Sequence, residues 1–359
     1  MPDHAPPTAD NRAGPRSGRR YALVTPCRDE EDFASATIAS VADQTEPPAV
    51  WIIIDDGSTD RTPAILDHWA SRIPFIKVVR REKRENNGRR VGAGVIEAFD
   101  EGLTHVDMDG VDYVCKFDLD LKMRPGYFAA VMDEMERDPR LAVFSGKPYF
   151  KHRDALGRER MVSEMCGDEN AVGMAKFYRV DAFRDIGGFV QELMWDGIDG
   201  HMCRMHGWRA QSHDHDEALK FEHLRPMGTS HRGWWTGRSR HGRGQHFMGT
   251  GLLYMLASAT FRLTRPPLIV GGLAMMSGYL WSALRGRKRF DQRYDRPDFR
   301  RFLRRYQRLS LLHGKAAATR KVDQEQAAAF ESRHETPPAK RLSKKSSSSD
   351  SLLATPATS

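Results

Sequence analysis

Apolar and polar positions alternate in two ways through the first 150 residues of the chain. Short continuous apolar runs, such as YALVTP (21–26) and AVWIII (49–54), are typical of buried strands. Between them, apolar residues recur at helical spacing, as in 34–42, which we predict to be a helix. The further predicted strands are 75–79, 111–117 and 141–150, and the further predicted helices follow Asp60 and cover 91–103 and 127–136. This pattern predicts an α/β domain whose mostly parallel sheet is covered by helices on both faces.

Polar clusters follow three of the predicted strands, at the point where each strand ends. They are Arg28–Asp32, Asp55–Asp60 and Asp118–Asp120. Ligands of parallel sheets bind beyond the carboxyl ends of the strands. The coincidence of these clusters with strand ends is the first indication of a functional site.

Two of the clusters contain carboxylates suited to a nucleotide diphosphate. Asp118 and Asp120 form a D-x-D pair, which can share a hard divalent cation that in turn neutralises a diphosphate. The alternative for this pair is a solvated turn. Gly57 and its neighbours suit a turn and a helix cap, but Asp56 is not needed for capping and can accept hydrogen bonds from a nucleobase.

Several motifs in order carry a family resemblance. They are TPCRDEE (25–31), IIIDDGSTD (52–60), NNGRR (86–90), KFDLDL (116–121), KFYRVDAFRDIGGF (176–189) and MWDGIDGHMCRMHGWRA (194–210). Together they resemble the family 2 glycosyltransferases, which have the GT-A fold and take nucleotide-sugar donors. The resemblance covers about residues 20–210. It implies a Rossmann-like, mostly parallel sheet sandwiched by helices.

The resemblance also implies roles for individual residues on the donor side. Its donor-binding positions are Thr25, Pro26, Arg28, Glu30, Asp56, Arg89 and Asp118. Asp56 would recognise the base, and Asp118 and Asp120 would hold Mn²⁺ or Mg²⁺ on the diphosphate. The basic turn around Arg89 can equally be a solvated surface turn.

An inverting transfer needs one general base to deprotonate the acceptor hydroxyl. In the family this base is an aspartate of an acidic pair, commonly Glu-Asp, before a helix; here Trp195 stands in the Glu position. Spacing without gaps favours Asp196 as the base, whereas a gapped alignment favours Asp199. Trp195, His223 and Arg225 are candidates for contact with the acceptor or the diphosphate.

The part of the chain after the glycosyltransferase-like region has a different amino-acid composition. Residues 249–261 and 268–284 are apolar and uncharged, and RGRKR follows directly. They predict an interfacial helix pair on an anionic membrane, with an ordinary helical subdomain and a single membrane span as alternatives. Residues 230–246, rich in Arg and Gly, predict a mobile loop over the donor site.

The sequence predicts four parts of the chain. They are a disordered leader (1–19), the glycosyltransferase domain (20–246, with a nucleotide half 20–121 and an acceptor half 122–246), a helical membrane-associating segment (247–320) and a disordered tail (321–359). The net charge of +8 hides a basic segment, because residues 285–345 hold 19 Lys and Arg against 7 Asp and Glu.

Composition narrows the class of protein. A mean hydropathy of −0.60 excludes a polytopic membrane protein, and four cysteines without a C-x-x-C argue against a zinc ribbon or a disulfide scaffold. We expect a cytoplasmic enzyme on the inner face of the cell membrane that passes a sugar from a UDP- or GDP-sugar to a glycan or lipid-linked acceptor. We expect no nucleic-acid partner. The alternatives are a basic scaffold that binds membrane or nucleic acid without catalysis, and a nucleotidylyltransferase.

Overall fold

The computed structural model describes residues 18–82, 92–154, 156–225, 233–264 and 268–334. Within these residues the strands are β1 (Tyr21–Cys27), β2 (Val50–Asp55), β3 (Ile76–Arg80), β4 (Tyr113–Phe117), β5 (Leu121–Lys122), β6 (Leu141–Ser145), β7 (Lys147–Arg153), β8 (Glu159–Ser163), β9 (Ala175–Arg179), β10 (Arg209–Ser212) and β11 (Lys220–His223). The helices are α1 (Ala34–Ala42), α2 (Thr62–Ala70), α3 (Ala93–Leu103), α4 (Tyr127–Arg137), α5 (Val180–Asp185), α6 (Trp195–Met205), α7 (Gly233–Met248), α8 (Leu252–Leu263), α9 (Val270–Leu284), α10 (Phe290–Arg293), α11 (Pro297–His313), α12 (Lys315–Glu325) and α13 (Ala327–His334).

The chain divides into two compact units. Unit 1 comprises Met1–Val180 and Gln211–Ser230, and unit 2 comprises Asp181–Ala210 and His231–Ser359. The chain returns from unit 2 to unit 1 within strand β10.

A seven-stranded sheet with the order β10-β6-β9-β4-β1-β2-β3 organises unit 1. Strands β4, β1, β2 and β3 run parallel, whereas β9 is antiparallel to both of its neighbours. Cys27 pairs with Asp55, and Asp55 pairs with Arg80, so strands β1, β2 and β3 end level with one another. A smaller sheet has the order β5-β11-β7-β8. The mostly parallel sheet between helices confirms the predicted fold class.

The core of unit 1 lies beneath strands β1, β2 and β4, whose side chains are almost all buried. The rings of Tyr21 and Phe177 both contact Phe128 of α4, with centroids 5.1 and 5.6 Å from it. This packing holds the start of β1 and the middle of β9 against α4.

The strand predicted at 141–150 is divided by Gly146 into β6 and β7. A Cβ at Gly146 would lie 1.8 Å from the carbonyl oxygen of Leu219, and the Gly146 amide donates to the Tyr127 hydroxyl at 3.0 Å. The apolar run was read as one strand because hydropathy does not register such a close backbone approach.

In unit 2, residues 233–248 form helix α7, contrary to the mobile loop predicted at 230–246. Helix α7 packs against α9 through a reciprocal glycine contact. A Cβ at Gly242 would lie 1.8 Å from the Met275 carbonyl oxygen, and one at Gly278 would lie 1.9 Å from the Ser239 carbonyl oxygen. The glycines that lower the helix propensity of α7 therefore allow its close packing, which supports the helix.

Residues 321–334 are helical, contrary to the disordered tail predicted from residue 321. Ala318 and Val322 of α12 are buried against Tyr306 of α11, and the Tyr306 hydroxyl is 2.9 Å from the Thr319 hydroxyl. The composition is polar, but this one apolar face gives α12 a partner. Within the part of the chain that the structure describes, no helix is long and apolar enough to cross a membrane.

Candidate active site

The loops that follow β1 and β2 are joined by reciprocal hydrogen bonds. The Asp29 amide donates to the Ser58 hydroxyl at 3.0 Å, and the Glu30 amide donates to the Thr62 hydroxyl at 2.8 Å. In the other direction, the Thr59 amide donates to the Asp29 carboxylate at 2.7 Å. Asp29 adopts a φ of 52°, which is costly for a residue other than glycine and marks this loop as constrained.

Asp56 lies at the end of β2, as its place in the sequence predicts, and is held by an arginine. Arg81 donates from Nη1 to Asp56 Oδ1 at 2.9 Å and from Nε to Glu101 Oε2 at 2.6 Å. Burial lowers the pKa of Arg81, but Glu101 and Asp56 raise it more, so the side chain stays cationic. Arg28 Nη1 also donates to the Asp56 carbonyl oxygen at 3.2 Å.

Two predicted donor-binding residues in strand β1 have different surroundings. Thr25 is fully buried, and its hydroxyl accepts a hydrogen bond from Trp51 Nε1 at 2.9 Å. Pro26 is half-buried. These contacts make Thr25 part of the core, whereas the polar residues after the strand, Arg28 and Glu30, carry the charge at the sheet edge.

The D-x-D pair follows the end of β4. The Lys116 ammonium is buried and forms an ion pair with Asp118, whose side chain is 32% exposed. Desolvation raises the pKa of Asp118, with Asp120 adding to the rise, while Lys116 and His223 oppose it. Lys116 lies two positions before Asp118, on the same side of the chain. Its ammonium group therefore places a positive charge beside the D-x-D pair.

Asp120 lies within a row of alternating charges. Arg225 Nη2 pairs with the buried Glu30, and Arg225 Nε lies 3.7 Å from Asp120 Oδ2. His223 Nε2 is 3.8 Å from the same oxygen, and its Nδ1 is 3.0 Å from Glu164 Oε1. Burial alone would lower the pKa of His223, but Asp120 and Glu164 raise it to about 9.

The residues around Asp120 fit a divalent cation bound together with a substrate. Among the described residues no group of three or more His, Cys, Asp and Glu is placed to hold a metal ion. Mg²⁺ and Mn²⁺ in phosphate-transfer sites are commonly held by one or two carboxylates, with the substrate phosphates as further ligands. Among the described residues, the cations paired with Asp120 Oδ2 are His223 and Arg225, at 3.8 and 3.7 Å, which is beyond hydrogen-bond distance.

Helix α6 of unit 2 carries both candidate bases. It begins at Trp195, after Met194 with a φ of 66°. Asp196 lies in the first turn and is half-buried. Asp199 is 3% exposed, and one of its oxygens accepts from the Gly200 amide at 2.6 Å.

Trp195 and the far end of α6 are parts of the core of unit 2. The Trp195 ring is buried and contacts Phe189 with ring centroids 4.7 Å apart. Arg204 is 2% exposed, donates to the Ala210 carbonyl at 2.7 Å, and lies 3.3 Å from Asp323 of α12. These contacts favour a packing role for Trp195 and anchor the helix that bears Asp196.

The structure therefore brings together Glu30, Asp120, His223 and Arg225, and it brings Arg28 to Asp56. Arg89, predicted to contact the diphosphate, lies outside the described residues. Three residues of the candidate site were not predicted from the motifs: Arg81, Lys116 and Glu164. Arg81 follows β3 at the same sheet edge as Asp56, and Lys116 shares a strand face with Asp118, so both had a detectable signal. Glu164 follows the distant strand β8, and no signal in the sequence indicates that it lies near His223.

Comparison with known proteins finds a family match over part of the chain. Residues 22–187 match the family described as glycosyl transferase family 2. A stretch of 91 residues, 24% of this chain, is 34% identical to a beta-monoglucosyldiacylglycerol synthase of Synechocystis sp.. That stretch spans 19% of the length of the relative.

Two solved structures are similar to this chain. One is the mannosyltransferase PcManGT from Pyrobaculum calidifontis in complex with GDP-Man and Mn²⁺, with 18% identity, 88% of each chain covered and a TM-score of 0.48. The other is TarS 1–349 of S. aureus, with 14% identity, 88% of this chain and 91% of that chain covered, and a TM-score of 0.44. At these TM-scores neither likeness bears on the fold or the function of this chain.

Proposed function

Because residues 22–187 form a glycosyl transferase family 2 domain, we propose that the protein is an inverting, metal-dependent glycosyltransferase. The family match confirms the predicted resemblance and the enzyme class. The proposed donor is a UDP- or GDP-sugar, and the proposed acceptor is a hydroxyl of a glycan or a lipid-linked saccharide. The proposed setting is polysaccharide or cell-envelope synthesis on the cytoplasmic face of an anionic membrane.

The donor site is proposed at the carboxyl ends of β1, β2 and β4. Asp56, held by Arg81, accepts hydrogen bonds from the base, while Arg28 and Glu30 line the same edge. Asp118 and Asp120 would hold Mn²⁺ or Mg²⁺. A bound cation would neutralise the diphosphate and so make it a better leaving group. Arg225 and His223 add positive charge on the same side of Asp120.

The acceptor hydroxyl needs a base that it can reach. We assign this role to Asp196 rather than Asp199, because Asp196 is half-buried whereas Asp199 is 3% exposed. A base within hydrogen-bond reach takes the hydroxyl proton as the oxygen attacks the anomeric carbon. The sugar is then transferred with inversion, and the nucleoside diphosphate leaves.

The single observation that carries the proposal is the row of charges around Asp120, at the sheet edge of a family 2 domain. Its test is a thermal-shift panel of UDP-, GDP-, dTDP- and CMP-sugars with and without Mn²⁺. A ligand that binds only the native state raises the melting temperature by mass action. We expect a metal-dependent shift with one nucleotide.

Asp120→Asn should remove both the metal-dependent shift and sugar transfer. Asp43→Asn is the matched control, because Asp43 is an exposed acid at the C-cap of α1 and should leave both unchanged. Turnover that persists in Asp120→Asn would refute the assignment of this site. A shift with no nucleotide would favour the non-catalytic scaffold.

A further inference from the structure

Helix α8 exposes several large apolar side chains. Leu252, Leu253, Leu256 and Phe261 of this helix are between 45% and 75% exposed. Met255 and Ala259 are its buried residues. An ordinary surface helix presents polar residues where α8 presents leucines.

Helix α9 continues this surface. Leu273, Leu280 and Leu284 are exposed along it, while Gly272 lies so close to α8 that a Cβ would be 2.5 Å from the Ala259 carbonyl oxygen. Ten of the sixteen exposed large apolar side chains in the described residues lie within 252–284. We call the exposed apolar residues of α8 and α9 the apolar face. Such a concentration marks an interaction surface rather than scattered exposure.

Positive charge accompanies the apolar face. The Trp281 ring of α9 is contacted by the guanidinium groups of Arg243, Arg285 and Arg287, with distances of 5.3, 4.5 and 4.6 Å to the ring centroid. Residues 223–290 contain eleven Lys and Arg and no Asp or Glu. An aromatic ring with surrounding cations at the end of an apolar helix suits the headgroup region of a bilayer.

We propose that the apolar face is the docking surface of unit 2 for a bilayer rich in anionic lipid. The leucines and Phe261 enter the boundary between headgroups and acyl chains, and the arginines around Trp281 meet lipid phosphates. Each cation near such a surface adds attraction that salt screens. This inference rests on the proposed function only for its purpose, which is to bring the domain to a lipid-linked acceptor.

A second copy of this chain is a poorer occupant of the same face. Pairing two apolar faces would bring two sets of arginines together with no acid between residues 223 and 290 to compensate. Like charges brought together in this way oppose association. Anionic lipid supplies the complementary charge that a second copy lacks.

The test is flotation of the full chain with vesicles of phosphatidylcholine alone or mixed with phosphatidylglycerol. We expect binding to the mixed vesicles, little binding to neutral ones, and loss of binding as salt is raised. Leu253→Glu with Leu273→Glu should lower the bound fraction at least about tenfold, because two leucines that would enter the bilayer become two charges. Leu312→Glu is the matched control, because Leu312 of α11 is exposed to the same 75% as Leu253.

Each outcome has a defined meaning. Wild-type binding to mixed vesicles that only the double variant loses would support the docking surface. No wild-type binding, equal loss in Leu312→Glu, or a lipid-free dimer that the double variant dissociates would overturn it. The double variant should keep the metal-dependent nucleotide shift, and Asp120→Asn should keep vesicle binding. The two proposals therefore fail separately.

Discussion

Because α7 and α9 meet through a reciprocal glycine contact, adding one methyl group at this contact should strongly lower the free energy of unfolding. In Gly278→Ala the new Cβ would lie 1.9 Å from the Ser239 carbonyl oxygen and 2.7 Å from its carbonyl carbon. The obstacle is backbone, which cannot rotate away as a side-chain end can. Because ordinary contact begins near 3.5 Å, the two helices must separate by roughly 1.5 Å.

Two opposing effects set the net magnitude. Alanine gains about 1 kcal/mol of helix propensity over glycine in α9. Overpacking typically costs about 1–3 kcal/mol, and a clash with backbone belongs at or beyond the upper end. We therefore expect Gly278→Ala to lower the free energy of unfolding by about 2 kcal/mol, or the melting temperature by about 4–8 °C.

The assay is urea and thermal unfolding followed by circular dichroism. Gly237→Ala is the matched control, because Gly237 is also helical and a Cβ there would meet nothing within 4 Å. This control should be neutral or stabilised by up to about 1 kcal/mol. If Gly278→Ala were as stable as the wild type, the helices would not approach as described and the reasoning would fail.

Three further predictions concern pH, the donor site and the sheet. Desolvation lowers the pKa of His206 to about 4 in the folded protein, so the unfolded chain takes up a proton that the folded chain does not as pH falls from about 6.5 to 4. The free energy of unfolding should fall over this range by at most about 3 kcal/mol; His206→Gln should remove that part of the loss in urea titrations, whereas His68→Gln, at an exposed position, should not. Arg81→Met should weaken nucleotide binding by about tenfold in calorimetry, because it removes a charged hydrogen bond to Asp56, and unchanged affinity would exclude Arg81 from the site. Gly146→Ala should destabilise the protein by more than about 2 kcal/mol, because its Cβ would lie 1.8 Å from a backbone oxygen; a urea midpoint equal to that of the wild type would contradict this.

Local pattern predicted the nucleotide half of the domain well. Helix α1 begins and ends where apolar spacing places it, and the D-x-D pair follows β4 as expected. Both follow from short-range rules, because a buried strand is a continuous apolar run and a parallel strand delivers its last residues to the ligand edge. Four of the six family motifs lie in the same part of the chain.

Features that depend on tertiary partners were not predictable from pattern. The glycines of α7 indicate a loop when only the sequence is considered. In the structure Gly242 packs closely against a backbone carbonyl of α9, which explains the glycine. Likewise α12 has a polar composition, and only burial of Val322 against Tyr306 explains its order. Glu164 reaches His223 through strand pairing in the small sheet, which no local spacing encodes.

Within the site, the structure changed the weight of individual residues. The hydroxyl of Thr25 accepts a hydrogen bond from Trp51 in the core. Glu30, predicted to line the donor pocket, pairs with Arg225 from almost two hundred residues further along the chain. Sequence alone places residue types at a sheet edge, but ion-pair partners depend on loops that converge from distant segments.

The cross-bonded loops after β1 and β2 have a consequence for engineering this protein. The amides of Asp29 and Glu30 donate hydrogen bonds to the hydroxyls of Ser58 and Thr62, so neither loop keeps its shape without the other. Substitutions on the two sides should therefore show non-additive effects. A chimera that takes only one of these loops from a relative would lack the partner loop that holds it in shape. The two loops must therefore be exchanged together if the proposed donor preference is to be transferred.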